Sequence, residues 1–170
     1  MSRGVVLWPD AATDRSVRAL WTALEEAGVP TLLTRTHRRH RPHVSLVVAE
    51  DLDPEVVRGA VGRVPRRPLP FDVHSVGLFP QGVLFLACVP GVALLEEHRR
   101  VSQIVTPLAT GPTPYSGVGT WVPHLTLGWQ LTAAQVALAL PVVTSRLPLR
   151  GVLAHGGVED GATGRRWLTA

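Results

Sequence analysis

Pro42-His43-Val44-Ser45-Leu46 and Pro123-His124-Leu125-Thr126-Leu127 spell one pattern twice: Pro, His, an apolar residue, a hydroxyl residue, Leu. Each opens an apolar run, VSLVVA at 44–49 and LTLGW at 125–129, that reads as a β-strand. Along a strand, positions i and i+2 share a face. His43 and Ser45 therefore point to one side, while Val44 and Leu46 point to the other, into a core. His124 and Thr126, set against Leu125 and Leu127, repeat that division. Of the seven histidines, only these two have Ser or Thr two residues on. The second motif follows the first by 81 residues (124 − 43), close to half of the 170-residue chain. Such spacing predicts two related lobes, each giving one motif strand to a shared cleft. Two imidazole-plus-hydroxyl faces meeting there form a site for acid/base chemistry on a phosphate group.

The composition sets the frame around these motifs. A chain of 170 residues makes one domain, or two closely packed lobes. With 45% hydrophobic and 18% charged residues it is a globule rather than a disordered chain. No apolar run approaches the roughly 20 residues that span a bilayer. The apolar stretch in MSRGVVLWPD is also too short for a signal peptide. The expectation is a cytoplasmic protein with no membrane partner, acting as a monomer. All 17 basic residues are Arg, a bias that a GC-rich genome largely explains. The guanidinium fork nevertheless suits phosphate oxygens, and a formal net charge of +4 favours a polyanionic partner. The single cysteine, Cys88 in VLFLACV (83–89), reads as a small buried hydrophobe. It excludes an intrachain disulfide and a cysteine-based zinc site.

Periodicity places the remaining elements. A strand is expected over 4–8, then a helix capped by Thr13, running to Ala27 and closed by Gly28 and Pro30. A short apolar run at 31–33, counted as a further strand, precedes the first motif. Asp53-Pro54 starts a helix to about residue 64, with Val56, Val57, Ala60, Val61 and Val64 facing inward. Strands over 69–78 and 83–89 are joined by a Pro80-Gln81-Gly82 hairpin. A helix over 92–109 leads into a Gly/Pro-rich loop at 110–120, which enters the second motif. Thr132 caps a helix over 133–140 that Pro141 stops, and strands at 149–155 and 166–169 flank GGVEDGATG (156–164). His74, with no hydroxyl two residues on, reads as structural or exposed.

The loop before the first motif holds His37, His40 and His43 at H-x2-H-x2-H spacing. Arg35, Arg38, Arg39 and Arg41 surround them and repel a cation, and a loop need not bring three imidazoles together. The segment reads either as a solvated basic loop or as a phosphate-positioning rim beside His43. Arg39 and Arg41 are its candidate substrate contacts. Tyr115, the only tyrosine, either stacks on a base or packs at the root of its loop.

At HVSL (43–46) and HLTL (124–127) the sequence resembles the 2H phosphoesterases, a superfamily that includes the 2′-5′ RNA ligase and 2′,3′-cyclic nucleotide phosphodiesterase families. Their signature is two His-x-Thr/Ser-x motifs. VGLFPQGVLFLACV (76–89) resembles the family's central hairpin, and GVLAHGGVEDGATGRRWLTA (151–170) its last one. Ser45 stands where Thr is commoner. The resemblance implies an α+β fold: a single bilobal domain over 1–170, two pseudo-symmetric lobes with antiparallel sheets facing a central groove, and helices outside. It implies a phosphodiesterase acting on 2′,3′-cyclic phosphates or 2′-5′-linked RNA ends or nucleotides, with ligase activity as a further expectation. His43 and His124 would be the acid and base, in an order the sequence leaves open. Ser45 and Thr126 would bind the phosphate oxygens. No cofactor and no metal are implied, and the expected partner is RNA or a nucleotide carrying a cyclic phosphate.

Two other readings stand beside this one. A non-catalytic RNA- or nucleotide-binding module would keep the groove without turnover. A two-histidine metal hydrolase would need a further carboxylate or cysteine ligand that the sequence does not offer convincingly.

Overall fold

The computed structural model describes residues 2–35 and 37–169; Thr36, in the basic loop, lies outside them. Strand β1 (Arg3–Pro9) turns Val5 and Leu7, both fully buried, toward helix α1 (Ala11–Glu26). That helix returns Val17, Leu20, Trp21 and Leu24 at 3.6-residue spacing. Its cap is Asp10 rather than Thr13: the Asp10 carboxylate accepts the Thr13 N–H at 2.8 Å, so Thr13 sits inside the first turn. The apolar run at 31–33 is a turn and not a strand. Glu25 Oε1 accepts both hydroxyls of Thr31 and Thr34 at 2.7 Å, which ties the segment back to α1.

The first motif opens strand β2 (Val44–Asp51). Helix α2 (Pro54–Val61) follows, with Asp53 as its cap. It ends three residues earlier than expected because Gly62 turns out of it at φ +60. Val57, Val61 and Val64 face inward as expected, but Val56 and Ala60 are exposed. Strands β3 (Leu69–Phe79) and β4 (Val83–Cys88) form the expected hairpin. Helix α3 (Val92–Val105) tightens into a 3₁₀ turn at Thr106–Leu108. The loop expected at 110–120 contains a short strand, β5 (Thr110–Pro112), and a 3₁₀ turn at Pro114–Ser116. The second motif makes strand β6 (His124–Gly128). Helix α4 (Ala133–Thr144), closed at its start by a Thr132–Gln135 capping box, runs through Pro141. Pro141 is exposed, so the backbone carbonyl it leaves unpaired faces water. The chain ends with β7 (Leu149–Asp160), five residues longer than expected, and β8 (Arg166–Leu168).

All eight strands join one antiparallel sheet in the order β5-β2-β1-β7-β3-β4-β6, with β8 on the free part of β7. The two halves of the chain are visible in that order. Each reads βαβαβ (β1-α1-β2-α2-β3 and β4-α3-β6-α4-β7, leaving out the short β5), and in each the motif strand pairs with the first strand. The third strands change places: β3 pairs with β4, and β7 pairs with β1. They meet along Phe71↔Gly151, which welds both halves into one sheet. The α+β class, antiparallel strands and paired halves are therefore as expected, although neither half owns a contiguous set of strands. Among the described residues, no helix is long and apolar enough to cross a membrane.

Candidate active site

Both motif strands have the same local geometry. Val44, Leu46, Leu125 and Leu127 are wholly buried, while His43, Ser45, His124 and Thr126 are partly exposed on the other face. Each strand also carries a bulge one residue past its hydroxyl. Leu46 is the extra residue between Val6↔Ser45 and Val5↔Val47, and Leu127 between Phe85↔Thr126 and Leu84↔Gly128. A bulge leaves backbone groups without ladder partners, and the opposite half supplies them. The Trp121 indole N–H donates to Ser45 O at 2.8 Å, and the Leu32 N–H donates to Leu127 O at 3.2 Å. These reciprocal clamps hold β2 against the approach to β6, although four strands separate the two in the sheet. His98 stacks on Trp121 (centroids 4.0 Å, planes 1° apart) and bonds Ser116 O at 2.9 Å, fixing the first clamp.

The imidazoles are oriented alike. His43 Nδ1 lies 2.8 Å from Arg41 O, and His124 Nδ1 lies 2.7 Å from Val122 O. A carbonyl only accepts, so each Nδ1 carries the proton and each Nε2 is the nitrogen free to exchange one. His43, Ser45 and Thr126 line one cavity of about 750 Å³ together with Gln81, Trp129 and Glu159. His124, two residues before Thr126 on the same face, opens onto an adjoining cleft with Phe79, Tyr115 and Thr120; Gln81 borders both.

The surroundings of the two rings differ. His124 lies among aromatic edges, with ring centroids 5.0 Å from Phe79 and 5.1 Å from Phe85. Its pKa is lowered, first by burial and further by the charge of His43; the bond to Val122 opposes both. A positive charge on one imidazole thus reaches the other. His43 instead has a carboxylate beside it: Glu159 Oε1 is 3.9 Å from Nδ1, and Glu159 is only 5% exposed. The Trp8 indole N–H holds the other oxygen, Oε2, at 3.0 Å.

Glu159 is the residue that sequence reasoning missed. It falls in GGVEDGATG, which reads as a connection, yet the segment continues β7, with Glu159 opposite Gly4. The two glycines that disguise it have a packing cause. A Cβ on Gly156 would come 2.5 Å from Val64 O, and one on Gly157 would overlap Trp167 O. The alternation Val158 toward the core and Glu159 toward the groove was the available signal.

The other sequence candidates separate. Arg41 is exposed; it faces Asp14 across 3.6 Å and lines a second cavity next to the first. Arg39 is exposed, its backbone N–H donating to His37 Nδ1, and it lines neither cavity. Tyr115 is 82% exposed at the mouth of the His124 cleft, not packed at its loop root. His37 and His40 stack on each other at 4.1 Å, and His40 meets the edge of Trp129 at 5.5 Å. Burial, then the charges of His37 and His43, bring the His40 pKa down to about 4. Among the described residues, no group of three or more His, Cys, Asp or Glu side chains is arranged to hold a metal ion.

Known proteins share the fold, and a family model matches the sequence. The fold is similar to a crystal structure of a phosphoesterase (TM-score 0.62, 15% identity), over 98% of this chain and 92% of that one. It is similar to Escherichia coli LigT in its apo form (TM-score 0.63, 14% identity), over 99% and 97%. Kluyveromyces marxianus Usb1 superposes with a TM-score of 0.52 at 14% identity, over 98% and 96%. A comparison with curated protein sequences found no match. The sequence model of the 2′-5′ RNA ligase superfamily matches residues 9–155, a span that includes both motifs. The chain belongs to the 2′-5′ RNA ligase superfamily.

Proposed function

We propose that the protein is a metal-independent phosphodiesterase that opens a 2′,3′-cyclic phosphate, or cleaves a 2′-5′ linkage, at an RNA end or nucleotide. The supporting observation is the pair of imidazoles, each held through Nδ1 with Nε2 free, on two adjoining cavities that share Gln81, the first also lined by Ser45 and Thr126. The difference in their surroundings supports a division of labour. His124, kept neutral by burial among Phe79 and Phe85, is the base. Its Nε2 takes a proton from water as the water oxygen bonds to phosphorus. His43, beside the buried Glu159 carboxylate, is the acid and delivers an Nε2 proton to the departing ribose oxygen as the P–O bond breaks. Ser45 and Thr126 donate to the non-bridging oxygens, where charge grows in the transition state. Solvent then resets both protons. With a ribose hydroxyl in place of water, the same four groups would join two RNA ends.

The test is turnover of adenosine 2′,3′-cyclic monophosphate in EDTA across pH 5 to 9, for the wild type and for His43→Ala and His124→Ala. A bell-shaped profile, with each variant down by about 10²-fold or more, is expected. Wild-type rates in either variant would sink the mechanism. RNA binding without turnover would return the chain to the class of binding modules.

A further inference from the structure

We infer that the groove continues into a second, cationic subsite that takes phosphates of a single RNA strand beyond the scissile one, so that the substrate is an oligoribonucleotide rather than a free cyclic nucleotide. This rests on the phosphodiesterase reading above. The sheet register sets the subsite out. Gly4↔Glu159, Val6↔Gly157 and Trp8↔His155 are cross-strand partners in an unbroken stretch of the β1–β7 ladder, so all six lie on the face that carries His43 and Ser45. Strand β8 extends this face, with Arg166 opposite Glu159 and Leu168 opposite Gly157. The catalytic cavity occupies the Gly4–Val6 end. A second cavity, of about 610 Å³, lies at the Trp8–His155 end.

The two cavities differ in chemistry. The first has Gln81, Gln130, Trp129 and His40 along its wall, and its charged residues are engaged, Arg3 with Asp51 and Asp160 and Glu159 with the Trp8 indole. The second is lined by Arg41, Arg63, Arg166 and His155, all exposed, over a floor that includes Trp8; no carboxylate lines it. Among the described residues, no carboxylate pairs with Arg63 or Arg166. Unpaired guanidinium groups converging on a cavity are an anion site by Coulomb attraction and fork geometry. Size points the same way, since about 750 Å³ already lies in the range that encloses one small ligand. A free cyclic nucleotide would leave the second cavity unused. A continuing strand would not, because Arg41 joins the cavities directly: its carbonyl holds His43 Nδ1 and its side chain lines the second.

The test compares kcat/KM for adenosine 2′,3′-cyclic monophosphate and for a short oligoribonucleotide ending in a 2′,3′-cyclic phosphate, in the wild type and in Arg63→Ala/Arg166→Ala. The double variant should lose about tenfold on the oligonucleotide, through KM, and keep its rate on the mononucleotide. The dependence of oligonucleotide binding on salt should flatten, its log–log slope falling in magnitude by about 1.4 for two lost phosphate contacts on a single strand. Equal rates on the oligonucleotide, or equal losses on both substrates, would overturn the inference. If the wild type turned over neither substrate, the phosphodiesterase reading would fail, but fluorescence anisotropy of a labelled oligonucleotide would still decide the subsite. Weaker binding by the double variant supports it, and unchanged binding, or preference for a phosphoserine peptide over RNA, rejects it.

Discussion

The two motif strands are backbone copies of each other set in opposite surroundings. Both carry a bulge at the last leucine of the motif, both hold their imidazole through Nδ1 on the carbonyl two residues earlier, and both have a carbonyl clamped from the other half. Against His124 lie the rings of Phe79 and Phe85; beside His43 lies the carboxylate of Glu159. A duplicated element thus supplies geometry twice, while unrelated strands supply polarity once each. General acid/base catalysis needs that combination, because two identical imidazoles at one pH cannot easily hold different protonation states.

Removing either imidazole has the largest effect. His43→Ala and His124→Ala should each lower kcat/KM by roughly 10² to 10⁴, the span of general acid/base catalysis, and the double variant by less than the product. Independent, multiplying losses would mean that the two rings do not act in one step. Ser45→Ala and Thr126→Ala should cost up to about a hundredfold each, as for removal of one donor to a developing oxyanion. A loss confined to one of them would show that the phosphate leans on a single strand.

Smaller changes sharpen the difference between the halves. Glu159→Gln keeps the shape and the Trp8 bond but removes the charge beside His43. With no carboxylate facing His43, kcat/KM should fall by about tenfold, read against an unchanged urea midpoint. Phe79→Ser admits water to His124 and relieves the burial that lowers its pKa. The low-pH limb, expected below pH 6.5 in the wild type, should then rise toward it. If Phe79→Ser moved the high-pH limb instead, the assignment of base and acid would have to be reversed.

Acid stability gives the gentlest effect. His40, His98 and His124 all have folded-state pKa values lowered by burial, His40 to about 4. The unfolded chain therefore binds protons that the folded chain refuses. Stability should be complete above about pH 6.5 and decline as pH falls toward 4, read as a drop in the urea midpoint. A midpoint that stayed flat across that window would mean these rings are hydrated in solution.

Much of the molecule was legible in the chain because it depends on local periodicity. The alternation in the two pentapeptides fixed which side chains enter the core and which face the groove, since a strand has no other way to place i and i+2. Helical spacing in α1 and the Asp53-Pro54 signal behaved in the same way. The errors arose where a side chain far along or across the turn decided the outcome. Glu25 drew two threonine hydroxyls away from a would-be strand, and an exposed face let α4 pass through Pro141. Two matched imidazole–hydroxyl pairs are written in the local pattern of the chain. Only the tertiary structure decided that β7, from the far end of the chain, runs beside β1 and brings Glu159 to His43. It also brings Phe85 of β4 and Phe79 of β3 against His124. Charge and burial act through space at a few ångströms, and no pattern of neighbours along the chain records which distant residue will fill that space.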